Sequence, residues 1–187
     1  MADGVGPPHL ADGTDLERWA DQRSAQADLP RLVRRIIPQE NDQVQRVEMR
    51  GGEGVGLPGY DGVVEATRST SFVPEGLSVW EMGTGEDPGR KATADYNTRT
   101  ADPLGVDMST TTFVFVTPRR WRKKKDWEQA RREEGKWADV RVLDADDLEQ
   151  ALEVAPAARI WLSELLDMPA LGAATIEEWW RRFSNGF

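Results

Sequence analysis

An α/β domain, with a mixed sheet and helices on both of its faces, is the architecture this sequence predicts. Three observations predict it. Three strand-like runs, Val44–Arg50, Gly59–Ala66 and Leu77–Met82, follow one another as a meander, while two later runs, Thr110–Thr117 and Val140–Leu143, are reached only through helical segments. The run TTTFVFVT is apolar and β-branched from end to end, the pattern of a strand covered on both faces. The intervening segments carry helix-start signals, a capping side chain followed by apolar residues at helical spacing.

The elements follow in order. Residues 1–13 (MADGVGPPHLADG) are rich in Gly, Pro and small residues and read as an unstructured leader. Thr14 or Asp15 caps a first helix, with Leu16, Trp19, Ala20 and Arg23 at helical spacing. Asp28-Leu29-Pro30 reads as a second cap with proline in the first turn. The helix Arg31–Ile37 then carries Leu32, Val33, Ile36 and Ile37 on one face, and Pro38 ends it. The stretch GGEGVGLPG is a glycine-rich connection rather than a phosphate loop, because no lysine-hydroxyl pair and no helix follow it. Asp87 is a good cap and Pro88 a good first residue for a helix that runs to about Thr100. Trp127 to Gly135, Asp146 to Glu153 and Pro156 to Leu166 are three further helices, the second capped by Asp. Thr175 to Phe183 (TIEEWWRRF) is the last. The domain therefore spans 14–170, and 171–187 reads as a terminal helix whose aromatic residues await a further domain or a second subunit.

Composition removes several kinds of chemistry. A chain of 187 residues fills one domain. With no cysteine there are no disulfides, zinc-thiolate sites or thiol nucleophiles. The single histidine, His9, lies in the leader, which sets aside histidine triads and multi-histidine metal sites. Carboxylates, lysine, hydroxyls or a bound metal remain. No apolar run reaches the roughly eighteen residues of a membrane span and no signal peptide is visible, so the expectation is a cytoplasmic protein without a membrane partner. The net charge of −9 argues against a surface coated for nucleic acid. Charge is local, however, and Arg119, Arg120, Arg122, Lys123, Lys124 and Lys125 crowd around Trp121. Two readings stand for this run: a grip on DNA phosphates with Trp121 on a base or on the sheet, or a solvated loop that balances acidic neighbours. Its place just after the buried strand favours phosphate binding.

Chemistry concentrates elsewhere, in the hairpin. Asp61 opens one strand and Glu81 closes the next. Antiparallel pairing in which residue numbers sum to about 142 sets the two acids side by side. Lys91 lies in the first turn of the helix that starts beside them, where its side chain leans back toward the strand ends. Two carboxylates at a strand end can hold Mg²⁺ or Mn²⁺ through oxygen, and a nearby lysine can neutralise charge building on phosphorus. Asp95 and Arg99 share the helix face of Lys91, and Glu48 and Glu53 are further, weaker candidates. The bland alternative makes Asp61 a turn residue, Glu81 a solvated acid and Lys91 ordinary surface. Gly59, Gly62, Gly83 and Gly85 flank the acids and favour a site, since glycine lets ligands approach the backbone.

These pieces, Gly59-Tyr60-Asp61-Gly62 and then Val79-Trp80-Glu81 after an N-terminal helix, resemble the PD-(D/E)XK nuclease superfamily, closest to its Mrr-like Gly-x-Asp-Gly branch. The resemblance covers about 29–117 and extends to nuclease effector modules at the front of bacterial anti-phage defence proteins. It implies a restriction-endonuclease-like fold and Mg²⁺-dependent DNA endonuclease activity. Asp61 and Glu81 become the metal ligands, and a homodimer or larger assembly with a fused or partner sensor domain is expected. The superfamily's lysine usually stands two residues after the second acid. Gly83 occupies that position here, and Lys91 is the lysine that could take the role. The same fold without catalysis, acting as a DNA-binding or protein-interaction module, is the alternative; a small-molecule phosphoesterase is a third reading.

Overall fold

β-branched and aromatic residues gather in five short runs, and each becomes a strand. They are β1 (Val44–Met49), β2 (Gly62–Ala66), β3 (Gly76–Met82), β4 (Thr111–Val116) and β5 (Asp139–Leu143). The computed structural model, which describes residues 11–52 and 59–168, joins them in one sheet in the order β1-β2-β3-β4-β5. β1, β2 and β3 pair antiparallel, whereas β3, β4 and β5 pair parallel. Parallel neighbours need crossovers, supplied here by α3 (Pro88–Ala101) and α4 (Lys124–Glu133). Two crossovers of the same hand, made in the same direction across the sheet, put both helices on one face.

The other face is covered by α1 (Gly13–Ala20), α2 (Ala25–Glu40), α5 (Ala145–Val154) and α6 (Pro156–Leu165). Their Trp19, Leu32, Ile36, Leu148 and Leu162 pack with Trp80, Met82, Val114 and Val116 of the sheet. Strand alternation sends Val79, Phe113, Phe115, Val140 and Val142 the opposite way, where Ala92 and Tyr96 of α3 complete a second core. Every residue of β4 is buried, as its unbroken apolar run predicts. The protein is thus α/β, with a mixed sheet flanked by helices on both faces. Among the described residues no helix is long and apolar enough to cross a membrane.

Several boundaries differ from the sequence reading. Asp12 caps α1 with a capping box to Asp15, and Ala11 is fully buried, so 11–13 belong to the fold rather than to a leader. α2 starts at Ala25, ahead of the expected Arg31, and contains both Pro30 and Pro38. Its buried stripe runs from Ala25 through Leu29 to Ile37, and burying that stripe outweighs the roughly 3 kcal/mol that an interior proline costs. α4 starts at Lys124 rather than Trp127, and α5 starts at Ala145 rather than Asp146, with Asp144 as the expected Asp cap. His9, Glu53 and the expected terminal helix lie outside the described residues.

Phe113 is the keystone of the α3–α4 face. It is fully buried, and its ring lies 5.5 Å from that of Tyr96 and 5.6 Å from that of Trp137. Phe113→Ala should cost about 3–5 kcal/mol, read from the urea midpoint at unchanged slope. A loss below about 1 kcal/mol would mean that this face is not packed as described.

Candidate active site

β2 begins where β3 ends, and Gly62 faces Trp80 in the register. Asp61 therefore arrives beside Glu81. The turn that delivers it is anchored to β1 by the Arg50 amide, which donates to the Asp61 carbonyl at 2.8 Å. The Met82 amide donates to Asp61 Oδ2 at 2.8 Å, fixing the carboxylate over the end of β3. Glu81 is only 3% exposed.

α3 crosses this strand end. Asp87 accepts from the Arg90 amide at 2.9 Å, and Pro88 opens the helix. Lys91, Asp95 and Arg99 then recur one turn apart on the side facing the acids. Lys91 Nζ donates to both Asp95 oxygens, at 2.6 and 2.8 Å. Arg99 donates through Nε to Glu81 and through Nη2 to the Gly59 carbonyl. Its guanidinium also lies 5.0 Å from the centre of the Tyr60 ring. Gly59 has φ +125°, a conformation that L side chains rarely adopt, so the carbonyl that Arg99 holds is presented by a residue that must be glycine.

These groups share one electrostatic environment. Burial raises the Asp61 carboxyl above its ordinary value despite the Met82 amide and the positive charge of Lys91. Burial raises Glu81 to about 7, with the Asp61 charge adding to the effect and Arg99 opposing it. Asp95 is raised by burial and held back by Lys91. The structure thus brings together Asp61, Glu81, Lys91, Asp95 and Arg99. It does not join Glu48 to them; Glu48 pairs with Arg46 on its own strand at 2.8 Å.

Position 83 lies against Lys91. A Cβ added at Gly83 would lie 2.7 Å from Lys91 Cγ and 3.4 Å from Phe115 Cζ. The aliphatic stem of Lys91 occupies the space that a side chain at 83 would take. Its amine ends on Asp95 and stays partly exposed.

The donor set suits a divalent cation in chemistry. The Met82 amide engages Asp61 Oδ2, Arg99 engages Glu81 Oε1, and the two carboxyl groups hydrogen-bond to each other, an arrangement in which a cation could take the place of the shared proton. Two desolvated acids with raised affinity for protons are relieved by a shared positive charge. Among the described residues no group of three or more His, Cys, Asp or Glu is arranged around a common centre. A metal here would complete its shell with water, phosphate or backbone oxygen.

Half of the basic run is engaged by acids of the same chain. Arg119 bonds to Asp21 at 2.7 Å and to the Thr84 carbonyl at 3.0 Å. Arg120 bonds to Glu17 and Asp146, both at 2.8 Å. Lys124 reaches Asp144 at 2.7 Å and Asp147 at 2.5 Å. Trp121 packs against Phe115 and Trp127, with ring centres 6.4 and 5.5 Å apart. Arg122, Lys123 and Lys125 are exposed and form no ion pair among the described residues. The sequence reading missed Asp144, which is 2% exposed and accepts the Trp121 amide at 3.0 Å besides capping α5. The spacing of Asp144 and Asp147, that of a capping box, was its one visible signal.

Comparison with protein-family models, with curated proteins and with solved structures finds no match to this chain.

The electrostatics carry a consequence for stability. In the unfolded chain Glu81 loses its proton near 4.5, but in the folded chain it keeps it up to about pH 7. Between these values the folded state holds the extra proton, so stability falls as pH rises through the window. Glu81→Gln cannot titrate and should flatten this decline, measured as Tm in EDTA from about pH 5 to 8. Variant and wild-type curves that stay parallel would show Glu81 ionised throughout.

Proposed function

We propose that this protein is a metal-dependent nuclease that hydrolyses phosphodiester bonds in DNA, with Asp61 and Glu81 as the ligands of Mg²⁺ or Mn²⁺. The observation that carries the reading is the convergence of Asp61, Glu81 and Lys91, with the stem of Lys91 filling the side-chain space of Gly83. A lysine whose stem occupies the side-chain space of position 83 can swing its amine from Asp95 toward the acids. When bound, the metal would supply a hydroxide and draw charge from phosphorus. The chain's own residues do the rest. The Met82 amide orients Asp61, and Arg99 orients Glu81 while fixing the Gly59 turn. Lys91 offers positive charge to a phosphoryl oxygen once it leaves Asp95, and the N-terminus of α3 adds to that field.

The resemblance to PD-(D/E)XK enzymes extends the proposal to a cytoplasmic effector module of bacterial defence, acting as a homodimer or larger assembly under a sensor domain. One observation favours a second reading, the catalytically inactive module. Glu81 and Asp95 already have cationic partners, which is how a purely structural network would be closed.

Incubation with supercoiled and linear DNA in Mg²⁺, in Mn²⁺ and in EDTA separates the two. The enzyme should cut only with metal, and Asp61→Asn should abolish cutting. A folded wild type that shifts DNA without cutting in either metal would establish the inactive module.

The displaced lysine has its own test. Lys91→Ala should slow cleavage by about 100-fold or more. Adding Gly83→Lys to Lys91→Ala should return part of the lost rate, because the vacated space lies directly above position 83. Full activity in Lys91→Ala would remove the lysine from the reaction.

A further inference from the structure

In a chain of net charge −9, one edge of the sheet is an exception. α2 exposes Arg31, Arg34 and Arg35 beside the edge strand β1, which contributes Arg46 and is followed by Arg50. Arg31, Arg34 and Arg35 line a cavity of about 430 Å³ together with Met49, Gly51 and Trp161. Arg34 also lines, with Arg46 and Arg50, a groove of about 590 Å³ that passes Gly59 and Tyr60. One arginine is therefore shared by two concavities along the β1 edge. Five arginines line them; among the described residues Arg31 pairs with Asp28 at 3.0 Å and Arg46 with Glu48 at 2.8 Å, and Glu65 lies opposite Arg46 in the register.

Three of the groups are held and one is uncommitted. Arg35 lies 4.5 Å above the Trp161 ring, which fixes its plane. Arg34 is exposed and has neither an ion pair nor a side-chain hydrogen bond among the described residues. The groove passes the turn that carries Asp61: Gly59, Tyr60 and Gly62 line it, and the Arg50 amide donates to the Asp61 carbonyl. By contrast, three of the six cations in the 119–125 run are spent on internal acids.

We infer that this arginine edge binds the phosphodiester backbone of nucleic acid and leads it toward Asp61 and Glu81. Planar guanidinium forks match phosphate oxygens pairwise, and a concave cationic strip in an acidic protein concentrates a polyanion there. The destination of the strand rests on the nuclease reading; the binding itself does not.

Binding of labelled single-stranded and duplex DNA, followed by fluorescence anisotropy in EDTA over a salt series, tests the inference. The triple variant Arg31→Gln/Arg34→Gln/Arg35→Gln should weaken binding about 10-fold or more and lower the slope of log K against log salt by about 2–3. Arg34→Glu alone, at a position without an ion pair among the described residues, should weaken it about 3-fold or more while leaving Tm unchanged. Arg122→Gln/Lys123→Gln/Lys125→Gln should stay within about 2-fold of wild type. The two DNA arms report whether the edge takes one strand or a duplex, and loss in either supports the inference. It is overturned if the loop variant carries the loss, or if wild type binds neither DNA in a salt-dependent way. A chain that binds through this edge but never cuts would leave the inference standing and remove the nuclease. A metal-dependent cutter indifferent to Arg31, Arg34 and Arg35 would do the reverse.

Discussion

Everything at the candidate site depends on β3, the strand at which the sheet changes sense. It pairs antiparallel with β2 on one side and parallel with β4 on the other. The antiparallel side brings the start of β2, and with it Asp61, to the end of β3. The parallel side obliges the chain to leave that same end through a helix before it can return as β4. α3 is thus not free to start elsewhere. Strand start, strand end and helix start meet at one point because one strand serves two kinds of pairing. Open α/β sheets place ligand sites at such carboxyl ends for this reason.

The charges gathered there do not hold the fold together. Three acids and Arg99 are drawn largely out of water, and burial raises all three acids against the efforts of their cationic partners. Replacing such a cluster with apolar side chains often leaves a protein as stable or more so. Stability comes instead from the two cores on either side of the sheet, centred on Trp80 and Phe113. The cluster is an expense carried by those cores, which is the pattern of groups kept for chemistry or for binding.

The hairpin was legible because its signals are local. Alternating strands and a connection of definite length give a register, and Val63 faces Val79 accordingly. The start of α3 was legible from Asp87-Pro88, whose capping chemistry needs no tertiary context. α2 was misread for the opposite reason: proline speaks against a helix interior, and only the packing of Leu29, Leu32 and Ile36 overrules it. The basic run illustrates a further limit. Six cations in seven residues stand out in a string of letters, yet Glu17, Asp21 and Asp144, which neutralise half of them, lie far away in sequence. The arginine edge escaped notice by the same logic, being split between a helix and a strand.

α3 is fastened at both ends, by the Asp87 cap at its start and by the Arg99–Gly59 tie near its finish, with Tyr60 Oη donating to the Pro103 carbonyl at 3.0 Å just beyond. A helix held this way behaves as a ruler whose phase matters as much as its length. One residue inserted between Lys91 and Arg99 would swing one of the two about 100° around the axis while the other stayed in place. Three or four inserted residues would restore the angle but move the pair about 5 Å apart along the axis. Side chains on the exposed side of this helix, such as Ala94, Asn97 and Thr98, can therefore vary without moving the site, whereas a change in its count of residues cannot.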